Sequence, residues 1–146
     1  MGPDALDTQG WQVPGDGPDF LHELIEMLKS KHPINGRRVY LFGHSAGAIQ
    51  ALQMSLLEPE YFAAVAVHAG ALPSAAYPLM ERANRKIPIA IFVGTNDQYF
   101  PLPIVRATRD ALNSRTAWSG SPRLVAEQAG NSAPAPPLCC NIVKRG

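Results

Sequence analysis

Five residues, Gly43-His44-Ser45-Ala46-Gly47, set a serine between small neighbours, directly after an apolar run and directly before a stretch of helical spacing. A serine hydroxyl attacks poorly at neutral pH, so it needs a base for its proton and donors for the oxyanion it creates. The GxSxG pattern supplies part of this by bending the chain sharply between strand and helix. A bulky residue at Gly43 or Gly47 would there meet neighbouring backbone, and the Ser45 hydroxyl would project from the C-terminal edge of the sheet. The Ala46 amide, at the helix N-terminus, would give one oxyanion hydrogen bond, helped by the helix dipole. His44 fills the variable position; it could line the site, but it points away from the proton a base must accept. Asp97, in Gly94-Thr95-Asn96-Asp97, follows another apolar run, and a carboxylate there ends on the same sheet edge as Ser45. The competing readings are a tight turn that happens to hold a serine, and an aspartate that stabilises its own turn.

These residues need a framework, and the pattern provides one. Asp16-Gly17-Pro18-Asp19 reads as a helix start, and Phe20, Leu21, Leu24, Ile25 and Leu28 then recur on one helical face. Residues 38–42 form a short apolar run that fits a strand buried on both faces. A second helix opens around Ser45, with Ile49, Leu52 and Leu56 on one side, and Glu58-Pro59 ends it. Strands are expected at 62–69 and 87–93, with helices at 79–85 and 103–112. The alternation of strand and helix predicts an α/β fold, an open and mostly parallel sheet flanked by helices through right-handed crossovers. Residues 1–17 read as an N-terminal loop, 18–115 as the α/β core and 116–146, with their prolines and absent period, as an irregular C-terminal tail of low order.

The chain has 146 residues, enough for one domain with a core, and 13 basic against 12 acidic side chains leave a formal net charge of +1. That balance gives no electrostatic reason to expect nucleic acid or an anionic membrane as partner. The first residues lack a basic and an apolar signal region, and nowhere do about 18 apolar residues run together, so neither a signal peptide nor a transmembrane segment is expected. The compartment stays open. Cys139 and Cys140 are adjacent, a spacing unsuited to a disulfide staple or a zinc site. No metal cluster, phosphate-cradling loop or dinucleotide fingerprint stands out, so no cofactor is expected.

Residues 20–52, together with the stretches FAAVAVHAGAL and KIPIAIFVGTNDQYFPL, resemble the α/β-hydrolase superfamily. The resemblance is strongest to esterases grouped with polyhydroxybutyrate depolymerases and feruloyl esterases, and it covers about residues 16–112. It implies Ser45 as nucleophile, Ala46 as oxyanion amide and Asp97 as triad acid, in the family's chain order. A triad histidine should follow Asp97, yet the four histidines, His22, His32, His44 and His68, all precede it. His22 and His32 read as surface residues. His68 falls near the end of the strand beside the serine strand, either as a substitute base or as a packed histidine. Strands that precede the first helix in the family, and the second oxyanion donor they carry, have no counterpart, so the sequence reads as a partial hydrolase.

The function implied is a serine hydrolase of carboxylic esters acting through an acyl-enzyme on Ser45, weak or inactive in the isolated chain for want of a base. Its partner would be a small ester or acyl compound. Alternatives are a peptidase-like α/β-hydrolase and a non-catalytic α/β binding module. A partial sheet would also expose an edge, through which copies could self-associate.

Overall fold

A computed structural model describes residues 17–114 and 124–128. The expected N-terminal loop up to residue 16, most of the expected tail, and Cys139 and Cys140 lie outside the described residues. Helix α1 (Pro18–Lys31) begins with proline in its first turn, where a missing N–H costs nothing. A 3-10 turn, Gly36–Arg38, follows and is capped by the Asn35 side chain, which accepts from the Arg37 amide at 2.9 Å. That turn delays strand β1 to Tyr40–His44, later than the apolar run alone implies. Then come α2 (Ala46–Leu57), β2 (Ala64–His68), a 3-10 turn at Ser74–Ala76, the single-turn α3 (Leu79–Arg82), β3 (Ile89–Gly94) and α4 (Leu102–Ser114). Strand β4 (Leu124–Gln128) lies within the stretch expected to be an irregular tail. Its five residues carry too little alternation to be read locally; pairing with β3 makes the strand.

The four strands run parallel in the order β1-β2-β3-β4. Because each strand is placed beyond the last in one direction, right-handed crossovers carry all the connecting helices over the same face. The core forms there. Val65, Val67, Ile89, Ile91 and Val93 meet Ala48, Ala51, Leu52 and Met54 of α2 and Val105 and Leu112 of α4 in one buried cluster. Helix α2 is buried on most of its circumference, with Gln50 and Ser55 enclosed beside its apolar residues.

The other face differs from the expectation of strands buried on both sides. Tyr40 and Phe42 of β1 are 64% and 69% exposed, and Ala64, Ala66, Ala90 and Phe92, which neighbour them by register, are only half-buried. The apolar run was the right signal for a strand but overstated its cover, since one-directional strand order leaves the second face without a crossover helix. Helix α1 likewise buries nothing fully; Leu21 and Ile25 lean on the core from its margin. No helix among the described residues is long and apolar enough to cross a membrane.

Candidate active site at the β1–α2 turn

Ser45 stands alone between the last residue of β1 and the first of α2, with φ 54° and ψ −121°. This is a backbone region that L-residues avoid, and it turns the chain from strand into helix within one residue. The residue is exposed, and its hydroxyl makes no capping bond to α2. Serines at this position commonly spend their oxygen on the N2 or N3 amide, so the absence leaves the hydroxyl uncommitted to its own helix. The turn is pinned from below, where the Ser45 amide donates to the His68 carbonyl at 3.0 Å. One strand over the arrangement repeats. Ala69 leaves β2 with φ 51°, and its amide donates to the Phe92 carbonyl at 2.9 Å.

Close approach of helix to sheet requires glycine at this bend. A Cβ at Gly43 would overlap the Gly47 carbonyl, and one at Gly70 would overlap the Ala48 side chain. Ala48 is itself wholly buried, so neither neighbour can yield. Ala46 opens α2, and its N–H belongs to the first turn, where no preceding helical carbonyl can take it. Gly43, His44 and Gly47 also border a groove along the free side of β1, together with Leu21, Ala51 and Met54.

Asp97 lies in the turn after β3, on the same C-terminal edge of the parallel sheet as Ser45. Its Oδ1 accepts from the Tyr99 and Phe100 amides at 2.9 and 2.8 Å, and its own amide donates to the Gly94 carbonyl at 3.1 Å. The carboxylate therefore does organise its own turn. Among the described residues its Oδ2 takes no hydrogen bond.

The histidines sort as follows. His22 is exposed with its ring against Tyr61, centroids 4.7 Å apart, and His32 is an exposed residue at the end of α1. His44 and His68 come together: their Nδ1 atoms are 3.0 Å apart. The pairing follows from register, because His44 and His68 are direct partners across β1 and β2. Sequence reasoning placed His68 beside the site but missed its partner, and only the strand register, invisible in either segment alone, could have found it. Hydrogen bonds from Lys29 and Arg109 hold Glu26 and Asp110 below their ordinary range, while desolvation raises Glu58, which closes the far end of α2. No group of three or more His, Cys, Asp or Glu among the described residues is arranged to hold a metal ion.

With that geometry in place, the relatives can be set beside it. Residues 18–126 match the model of a family described as phospholipase/carboxylesterase. The chain belongs to that family. Membership reaches past residue 112, where the resemblance had been expected to stop, and ends within β4, at residue 126. NocK of Nocardia uniformis subsp. tsuyamanensis, a protein named as an esterase, is 32% identical over 83 residues, which are 57% of this chain and 24% of NocK. This phospholipase/carboxylesterase relative thus spans about a quarter of that protein's length. Among solved structures, a thermostable esterase superposes with a TM-score of 0.62 at 21% identity, over 77% of this chain and 28% of that one. The acylaminoacyl peptidase of Pyrococcus horikoshii gives 0.58 at 14%, over 76% and 23%. The S-formylglutathione hydrolase of Agrobacterium tumefaciens gives 0.51 at 17%, over 84% and 53%. At such identities the three establish the shared α/β-hydrolase fold.

Proposed function

We propose that this chain carries the nucleophile and acid of a serine hydrolase of carboxylic esters, with Ser45 attacking the acyl carbon and the Ala46 N–H receiving the oxyanion. One observation carries the reading: an exposed serine held at positive φ between β1 and α2, its hydroxyl unspent on capping. Backbone strain of this kind needs a reason, and lifting an oxygen clear of the sheet edge above an uncommitted helix N-terminus is one. Gly43, where a Cβ would meet the Gly47 backbone, gives the bend its close approach, in the manner of a nucleophile elbow. Asp97 is the triad acid: Oδ1 fixes the carboxylate to its turn, and Oδ2 is left to orient an imidazole.

In the acylation step the Ser45 oxygen bonds to the ester carbonyl carbon, the alkoxide leaves with a proton, and water later releases the acid. The proton must pass to a base. No histidine follows Asp97 in this sequence, so the chain by itself should turn over slowly, by several powers of ten relative to a complete triad. The family description, phospholipase/carboxylesterase, supports an ester rather than an amide as the acyl donor.

The test is covalent labelling of the full chain by a fluorophosphonate, read by intact mass. Slow labelling of the wild type during a prolonged incubation with excess probe, absent in Ser45→Ala, supports the hydrolase; a folded wild type that labels no faster than Ser45→Ala makes the chain a non-catalytic α/β module. The edge of β1, unpaired among the described residues, supports a second element of the proposal, self-association of two copies through that strand.

A further inference from the structure

We propose that His44 and His68 form a two-imidazole site for a borderline divalent transition cation, copper or zinc, on the open face of the sheet beside the Ser45 turn. The inference stands apart from the hydrolase reading and survives if that reading fails. It begins with distance: the two Nδ1 atoms lie 3.0 Å apart, while the ring centroids are 5.1 Å apart and the planes differ by only 20°. The centroids are thus much farther apart than the nitrogens, so the rings meet through their Nδ1 edges rather than face to face. Two nitrogens bound to one tetrahedral zinc, each at 2.0–2.1 Å, are separated by about 3.3 Å. The pair is within a few tenths of an ångström of that span, and each ring turns by about 35° to swing its Nδ1 lone pair off the line between the nitrogens and onto a shared tetrahedral metal.

The scaffold holds the spacing without a ligand. His44 and His68 occupy partner positions of two hydrogen-bonded parallel strands, and the Ser45 amide ties the end of β1 to the His68 carbonyl. His44 is exposed and His68 half-buried, so water or an exogenous ligand can complete the coordination shell. In the apo pair one Nδ1 carries the bridging proton. On binding, that ring changes to its Nε2–H tautomer, both Nδ1 lone pairs go to the metal, and neutral rings lose no proton overall. Imidazole suits copper, zinc and nickel, whereas magnesium and calcium prefer oxygen ligands.

The experiment uses the full untagged chain with Cys139→Ser and Cys140→Ser, which removes the competing thiols, titrated with zinc chloride and with cupric chloride. One equivalent should bind, copper more tightly than zinc, with no response to magnesium. His44→Gln and His68→Gln should each weaken binding about tenfold or more, since a chelate that loses one arm forfeits its effective concentration. His22→Gln and His32→Gln should leave it unchanged. Should either site variant misfold, nitrogen-15 spectra of the histidines in the parent chain decide the matter, with coordination expected at both Nδ1 atoms. Absent binding, coordination through Nε2, or an affinity equal to the parent's in the folded His44→Gln or His68→Gln chain overturns the site.

Discussion

At the scale of single residues, strain and hydrogen bonding at the sheet's C-terminal edge explain how Ser45 and Asp97 are held. Ser45 holds φ 54° without a capping bond in return, so its conformation lowers stability. Ser45→Gly should raise the unfolding free energy in urea by about 1 kcal/mol, because glycine adopts that backbone without a Cβ penalty. A glycine variant less stable than wild type would show that the serine side chain holds the turn together instead. At Asp97 the two amides on Oδ1 predict a split between variants. Asp97→Ala should cost about 1–2 kcal/mol in the same assay, and Asp97→Asn, which keeps an acceptor oxygen, under about half that. Equal losses would shift the weight from the hydrogen bonds to the charge. The strand-to-helix bend at Ser45 was legible in the sequence because glycine spacing, preceding apolar run and following helical period agree. The His44–His68 pair was not, since residues 24 positions apart meet only once two strands have chosen their register.

At the scale of elements, the long connection from β2 to β3 is fastened to the core by a side chain of a later helix. Thr108 of α4 is wholly buried, and its hydroxyl accepts from the buried Leu72 amide at 3.0 Å. Thr108→Val keeps the shape but strands that amide, so it should destabilise by about 1–3 kcal/mol in thermal or urea unfolding. Thr108→Ser restores the acceptor and should recover most of the loss beyond its missing methyl. If valine matches threonine, the bond adds nothing net. The helices and strands themselves were readable from period and from proline and glycine punctuation, with ends displaced where a side chain intervened, as the Asn35 cap does ahead of β1. β4 escaped notice because Leu-Val-Ala-Glu-Gln carries no period of its own, and its partner β3 supplies the order.

At the scale of the whole molecule, the one-directional strand order leaves β1, among the described residues, as an edge strand with Tyr40 and Phe42 facing outward on the face opposite the core. Two copies can meet there by pairing the same strand across a twofold axis, which satisfies the free edge of both. Sedimentation velocity should find a concentration-dependent dimer, and Tyr40→Lys with Phe42→Lys should return it to monomer by placing like charges across the contact. A monomer at all concentrations in the wild type would remove the edge as an interface. The alternation of elements announced the parallel sheet. It could not announce which faces the helices would take, because that depends on the order of the strands in space.

A sheet clothed on one flank and bare on the other also sets how the molecule takes up heat. Unfolding adds little water contact where Tyr40 and Phe42 already touch solvent. The heat-capacity increment measured by calorimetry should therefore fall below the usual ~12–15 cal/mol/K per residue. Its stability curve would then be flatter, with less curvature between the cold and the hot side.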